Sequence, residues 1–319
     1  MGYLISERRR LGRTNLMVSP IGLGGAWLGK SSAESETDCE VAIVCVMKVL
    51  DSGINLIDTS TCYGSEESIG MALEEWYKRG GKREDIVLTT KTGTRVFPPV
   101  FTYDETMACV EQSLKLLKTD YLDVVFIHDP IDIEPALAEG AALDVLKDLK
   151  KQGVIKGIGL GVRKHEFHKI CIQTGDFDVC LTYRDYNLID QSITDEILPL
   201  AGEYDVGIFN GTPIIKGLLG GRDPLEIAKV EPPVYHPLAD NPYILTKEEV
   251  DLARKLWEFA NKHEVGLLAL NLQYCLREKR IVSTLLGSSN INSITRDIDA
   301  LSVDIKDEVW QELYEQFGI

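Results

Sequence analysis

The sequence predicts a (β/α)8 TIM barrel, an α/β fold in one domain spanning residues 1–319. An N-terminal β-hairpin should cap its bottom, and long loops should crowd its C-terminal face. Three observations carry this. Eight short apolar runs rich in β-branched residues recur along the chain, stretches with helical periodicity lie between them, and no low-complexity or linker-like segment divides the 319 residues. Strands alternating with helices imply parallel pairing, and parallel strands covered on both faces read as continuous apolar runs. Eight such units fit a closed barrel, which routinely occupies this length as one domain; a doubly wound sheet is the alternative.

The cluster Arg8, Arg9, Arg10 reads as a solvated strand or arm, and residues 11–19 as a hairpin turning around residues 13–15, placed to plug the barrel floor. The strand candidates follow at 21–24, 55–58, 86–91, 124–128, 155–160, 179–183, 207–210 and 284–287. Helical spacing fills the gaps. Residues 40–51 place apolar side chains at 41, 44, 45, 49 and 50, residues 103–117 at 107, 110, 114 and 117, and residues 138–151 at 138, 142, 143, 146 and 149. Each set lines one face of a helix. The stretch 216–246 holds prolines 224, 232, 233, 237 and 242 and reads as a long loop after the seventh strand. Long loops on that face of a barrel are usually functional.

A net charge of −16 and a pI near 4.8 argue against a phosphate backbone as partner. No apolar stretch has membrane-spanning length, and the N-terminus does not resemble a secretory signal. Seven scattered cysteines without a CxxC fit reduced thiols, so a cytoplasmic location is expected. His165 and His168 lie three apart, a possible metal spacing, but no further ligand accompanies them; a solvated helix face is the expectation and no metal is predicted.

Catalytic residues of a barrel sit at the C-terminal ends of its strands. The second strand ends in Asp58 and its loop carries Tyr63; the third ends in Lys91 and the fourth in His128. Four ionisable groups on three successive strands should converge on one mouth. Their chemistry is coherent. Adding hydride to a carbonyl leaves an alkoxide that needs a proton, and a phenol can give it. A nearby ammonium favours the phenolate and eases the transfer, an aspartate keeps the lysine charged and placed, and a histidine orients the substrate oxygen. In the oxidative direction the tyrosine is the base.

The stretch GINLIDTSTCYGSEESIG resembles the signature of the aldo-keto reductase family, and TTKTG and VVFIHDP resemble its lysine and histidine strands. Similarity runs from RRLGRTNLMVSPIGLGG through GLLGGRDP to LLGSSNINSITRDIDAL, nearly the whole chain. The resemblance implies that Asp58, Tyr63, Lys91 and His128 are the catalytic tetrad and that a nicotinamide cofactor carries the hydride.

The run IGLGGAWLG does not make a dinucleotide-binding fingerprint, because Trp27 stands where a third glycine is required. It reads instead as a barrel strand and a substrate loop, with Gly24 and Gly25 near the cofactor and Trp27 lining the pocket. A better phosphate site is Gly287, Ser288, Ser289 and Asn290, opening a helix near Ile291, since helix starts bind anions. The resemblance assigns this segment, with Ser293, Arg296 and Asp297, to the adenosine end. Gly287 and Ser293 occupy places where NADP-selective relatives carry cations, and Asp297 adjoins Arg296, so NAD is expected, with NADP possible. Three departures concern the nicotinamide end. Gly161-Val162 replaces a usual Ser-Asn pair, Thr182 or Tyr183 replaces a usual Gln, and Gly211 stands where many relatives place a stacking aromatic. Tyr183, Asn210, Gly211 and Thr212 complete the expected cofactor set.

HDP after the fourth strand, FNGTP…GLL after the seventh and VYHP beyond look similar to the L-galactose and D-threo-aldose 1-dehydrogenase branch. That resemblance implies oxidation of an aldose or related hemiacetal at C1, with Tyr63, His128, Trp27, Asp129 and His236 toward the substrate. An NADPH-dependent aldehyde or carbonyl reductase is one alternative; a nicotinamide-binding regulatory subunit with low turnover is another. The substrate is a small carbonyl compound or sugar, and the oligomeric state stays open.

Overall fold

The computed structural model describes residues 5–29, 39–230 and 245–319. Among the described residues ten strands run in chain order: β1 (Arg9–Arg10), β2 (Met17–Val18), β3 (Ile21–Gly24), β4 (Leu56–Asp58), β5 (Val87–Thr92), β6 (Leu122–His128), β7 (Ile155–Gly161), β8 (Val179–Tyr183), β9 (Gly207–Gly211) and β10 (Ile281–Gly287). The last eight close into a parallel barrel in the order β10-β3-β4-β5-β6-β7-β8-β9. All eight predicted runs are barrel strands, so the fold is the (β/α)8 barrel. Helices α1 (Cys39–Asp51), α2 (Glu66–Lys78), α3 (Tyr103–Leu117), α4 (Glu134–Leu137), α5 (Ala142–Lys151), α6 (His165–Thr174) and α7 (Ile197–Glu203) return the chain between strands. The sequence of helices continues with α8 (Pro224–Val230), α9 (Lys247–Lys262), α10 (Leu267–Arg277), α11 (Ile291–Ala300) and α12 (Asp307–Phe317). Among the described residues no helix is long and apolar enough to cross a membrane.

β1 and β2 pair antiparallel around a 3-10 turn at Gly12–Thr14. The hairpin therefore begins two residues earlier than expected and takes in the arginine cluster. Arg9 is not solvated: its guanidinium is buried and donates to the carbonyls of Ile281 and Leu276 at 2.8 and 2.9 Å. Gly12 has a φ of +48°, and a Cβ there would come within 2.5 Å of the Asp205 carbonyl, so the turn needs glycine. Leu11 and Val18 are fully buried with Leu56, Val87, Val124 and Val179, closing the bottom. Two buried aspartates lock the same end. Asp123 accepts from Arg83, Lys156 and the Leu88 N–H, and Asp178 from Arg13, Lys150 and the Ile158 N–H.

Three other elements depart from expectation. The helix predicted over 138–151 starts at Ala142, because Ala138 is extended (ψ 154°) after the separate turn α4. The predicted loop 216–246 contains α8, whose Pro224 opens the helix where no N–H is needed. His168 is fully buried with its Nε2 2.8 Å from the Val162 carbonyl, and His165 pairs with Asp185, so α6 presents no solvated histidine face. Burial drives His168 down to about 4.

The alternation of each strand sends every second residue into the barrel. Phe126 and Phe209 fill the middle of the interior, their ring centroids 6.1 Å apart. They have room because β7 places Gly157, Gly159 and Gly161 inward: a Cβ on Gly159 would lie 2.3 Å from the Phe126 ring. Gly159→Ala should overpack the interior and cost about 1–3 kcal/mol, read as a lowered urea midpoint. An unchanged midpoint would mean that the Phe126 ring has room to retreat.

Candidate active site

The same alternation builds the mouth. Leu56, Val124 and Phe126 point into the core, so Asp58 and His128, on the same strand faces, point in at the C-terminal rim. Thr89 and Lys91 do so from β5. Lys91 is one of the most deeply buried large side chains. Its Nζ lies 2.5 Å from Asp58 Oδ2 and donates to the Thr59 carbonyl at 2.7 Å, while Thr89 donates to Asp58 Oδ1 at 2.7 Å. The pair survives burial because both partners have further hydrogen bonds. Nζ also lies 5.0 Å from the Tyr63 ring centroid.

Tyr63 sits in the turn after β4, its N–H on the Ser60 carbonyl. Its hydroxyl is 3.4 Å from His128 Nε2, with the rings edge to face at 87°. On the far side of the imidazole, Nδ1 lies 2.7 Å from Thr94 Oγ1 and 3.1 Å from Ser60 Oγ. When one of these hydroxyls donates to Nδ1, the ring proton sits on Nε2, the nitrogen that faces Tyr63. Phenol and imidazole thus aim two polar atoms at one point, with an ammonium behind the phenol ring. That arrangement can give a proton to, or take one from, an oxygen on a carbon undergoing hydride transfer.

Asp129 follows directly. Its φ of 41° lies in the left-handed region, held by its N–H on the Gly161 carbonyl at 2.8 Å. Oδ1 accepts from the Tyr183 hydroxyl at 3.2 Å and Oδ2 is 3.6 Å from His128 Nε2. Burial raises this carboxyl to about 7, against the pull of the Tyr183 hydrogen bond and the Lys91 charge.

Around the rest of the rim the inward positions are bare. Gly24, Gly161, Gly211 and Gly287 end β3, β7, β9 and β10. A Cβ on Gly161 would only touch Lys91 Cε and Phe126 Cβ at 3.8 Å. This glycine-floored arc beside the tetrad fits a flat ring such as nicotinamide. At its edge Asn290 caps α11, its Oδ1 accepting from the Ser293 N–H at 2.9 Å, and Ser288 bonds back to Asn290. These residues, with Ser289, would hold the phosphate end. Trp27 lies over Gly287, where a Cβ would meet its Cδ1 at 2.5 Å. Arg296 is half-exposed and bonded to the buried Asp297 at 3.1 Å.

The structure separates some predicted residues from this site. Asn210 turns outward between the inward Phe209 and Gly211, is fully buried, and donates to the Tyr186 carbonyl at 2.8 Å. It has no face toward a cofactor. Gly25 is wedged against Asp58 O and Ser65 Oγ, within 3.1 Å of an added Cβ, and so supports the β4 loop. Thr182 also faces outward, bonded to Asp185. Thr212, by contrast, stays at the C-terminal rim, in the turn after β9, with a φ of 52°. His236 and the VYHP segment lie outside the described residues. Conversely, Thr89, Ser60 and Thr94 support the tetrad without having been singled out. Thr89 was findable, lying two residues before Lys91 on the same strand face.

The aldo/keto reductase family model matches residues 20–316. Pyridoxal 4-dehydrogenase of Microbacterium luteolum is 27% identical, with 97% of this chain and 96% of that protein aligned. L-galactose dehydrogenase of Arabidopsis thaliana is 28% identical over 93% of this chain and 88% of its own length. Among solved structures, a holo-form aldo-keto reductase from Bacillus halodurans superposes with a TM-score of 0.71 at 24% identity, covering 97% of this chain and 96% of that one.

Proposed function

The chain belongs to the aldo/keto reductase family, an oxidoreductase of small carbonyl compounds with a nicotinamide cofactor, and we propose that it oxidises an aldose or related cyclic hemiacetal at C1. The observation that carries this reading is the buried Asp129 beside His128, a polar acceptor that a polyhydroxylated substrate uses and a simple aldehyde does not. Likeness to L-galactose dehydrogenase and pyridoxal 4-dehydrogenase supports it. NAD is the proposed cofactor, because the one cation of the α11 segment, Arg296, is already engaged by Asp297.

A bound, oxidised nicotinamide would supply the hydride acceptor for C1. The chain's residues do the rest. His128 Nε2 donates to the C1 oxygen and orients it. Tyr63 takes the hydroxyl proton as the C1–H bond breaks and the C1–O bond becomes a carbonyl, giving a lactone. Lys91 holds its charge against the Tyr63 ring, and Asp58 holds Lys91. The inward glycines leave the space for the ring.

An aldose panel with NAD and purified protein should yield NADH. If no aldose gives NADH while simple aldehydes consume NADPH, this reading fails. Tyr63→Phe keeps the ring and removes the proton carrier, so kcat should fall about a hundredfold or more. The NAD dissociation constant, followed by quenching of tryptophan fluorescence, should be unchanged. Wild-type turnover in this variant would assign the proton to another group.

A further inference from the structure

We propose that Asp129, positioned by Tyr183, recognises the substrate hydroxyl on the carbon adjacent to the reacting one. The proposal rests on the aldose reading above and adds the contact that selects among hydroxylated substrates.

Tyr63 OH and His128 Nε2 converge on the reacting oxygen from 3.4 Å apart. Asp129 Oδ2 stands 3.6 Å from the same Nε2, just beyond that point. Vicinal hydroxyls of a sugar lie about one hydrogen bond apart. An alcohol bound through its C1 oxygen therefore brings the neighbouring hydroxyl to this carboxyl. Among the described residues, Oδ2 accepts no hydrogen bond and lies 3.6 Å from His128 Nε2, whereas Oδ1 is committed to Tyr183.

The carboxyl is placed rather than incidental. The left-handed backbone at Asp129 turns its side chain back over the strand ends, and the bond to the Gly161 carbonyl holds that turn. Tyr183 ends β8 and Asp129 follows β6, so their hydrogen bond passes over the end of β7. It can do so because the inward residue there is Gly161. Tyr183 in turn lies against Gly211, where a Cβ would sit 3.1 Å from its own Cβ. Two bare positions thus flank a tyrosine that fixes one oxygen of the acid and leaves the other toward the mouth. A buried acceptor of this kind discriminates strongly, because a substrate lacking the hydroxyl leaves it unpaired.

The test compares an aldose that turns over with its 2-deoxy analogue, in wild type, Asp129→Asn and Tyr183→Phe. Wild type should favour the parent sugar by roughly a hundredfold or more in kcat/KM. Asp129→Asn should bring the two sugars level by losing rate on the parent alone, with the NAD dissociation constant from fluorescence quenching unchanged. Tyr183→Phe, which keeps the ring, should narrow the gap. Equal wild-type rates on both sugars would overturn the proposal and leave the aldose reading standing. So would an Asp129→Asn enzyme that slows on both alike. Wild type that reduces no NAD with any aldose would overturn the aldose reading, and this proposal with it.

Discussion

Lys91→Met should destabilise the fold by about 3–5 kcal/mol, the usual consequence of removing one member of a buried pair. Lys91 and Asp58 are 1% and 3% exposed, and Lys91 is the cation within hydrogen-bond reach of the Asp58 carboxylate. Methionine fills the volume but leaves that carboxylate in the barrel with only the Thr89 hydroxyl. Urea unfolding measures the loss. Asp58→Asn added to Lys91→Met should recover most of it, because the double variant buries no charge. It should recover none of the activity, since no ammonium then faces the Tyr63 ring. A double variant as unstable as the single one would show that packing, and not the orphaned charge, sets the cost.

The architecture was legible because a parallel barrel writes itself twice, as continuous apolar strands and as amphipathic helices. The tetrad was legible because strand parity sends Asp58, Lys91 and His128 inward at the rim. The same parity places Asn210 outward between Phe209 and Gly211, a conclusion that follows from counting by twos along β9. What no local pattern revealed were contacts between distant segments. Arg9 looks solvated in an arginine triplet until β10 and α10 supply carbonyls for it. His168 looks like a surface residue until the Val162 carbonyl, released at the end of β7, turns out to need a donor. The break before Ala142 was hidden because Ala138 stands four residues before Ala142, in helical register with it, although its backbone is extended. Asp129 stood out in sequence only by adjoining His128; its burial and its bond to Tyr183 depend on three strands meeting.

Asp129→Asn should raise thermal stability, by an amount that grows as pH rises from about 4 to about 7 and then stays constant. Burial moves the folded carboxyl up from 3.8 to about 7. Below pH 3.8 the group is protonated in both states and costs nothing. Between the two values the unfolded chain releases a proton that the folded chain keeps, so stability falls as pH rises. Above about 7 the whole cost is present. A shift of this size corresponds to an upper figure on the order of 4 kcal/mol. Asparagine is neutral throughout and keeps an oxygen for the Tyr183 hydroxyl, so the variant escapes the cost. Tyr183, His128 and Lys91 face the carboxyl. Melting temperatures of the two proteins from about pH 4 to 9 should therefore nearly coincide at the acid end, diverge up to about pH 7 and run parallel above it. A constant difference across that range would mean that the acid is not a buried titrating group. Divergence would mean that the chain tolerates a destabilising carboxylate at the mouth, which is expected where an acceptor is held ready for a substrate hydroxyl.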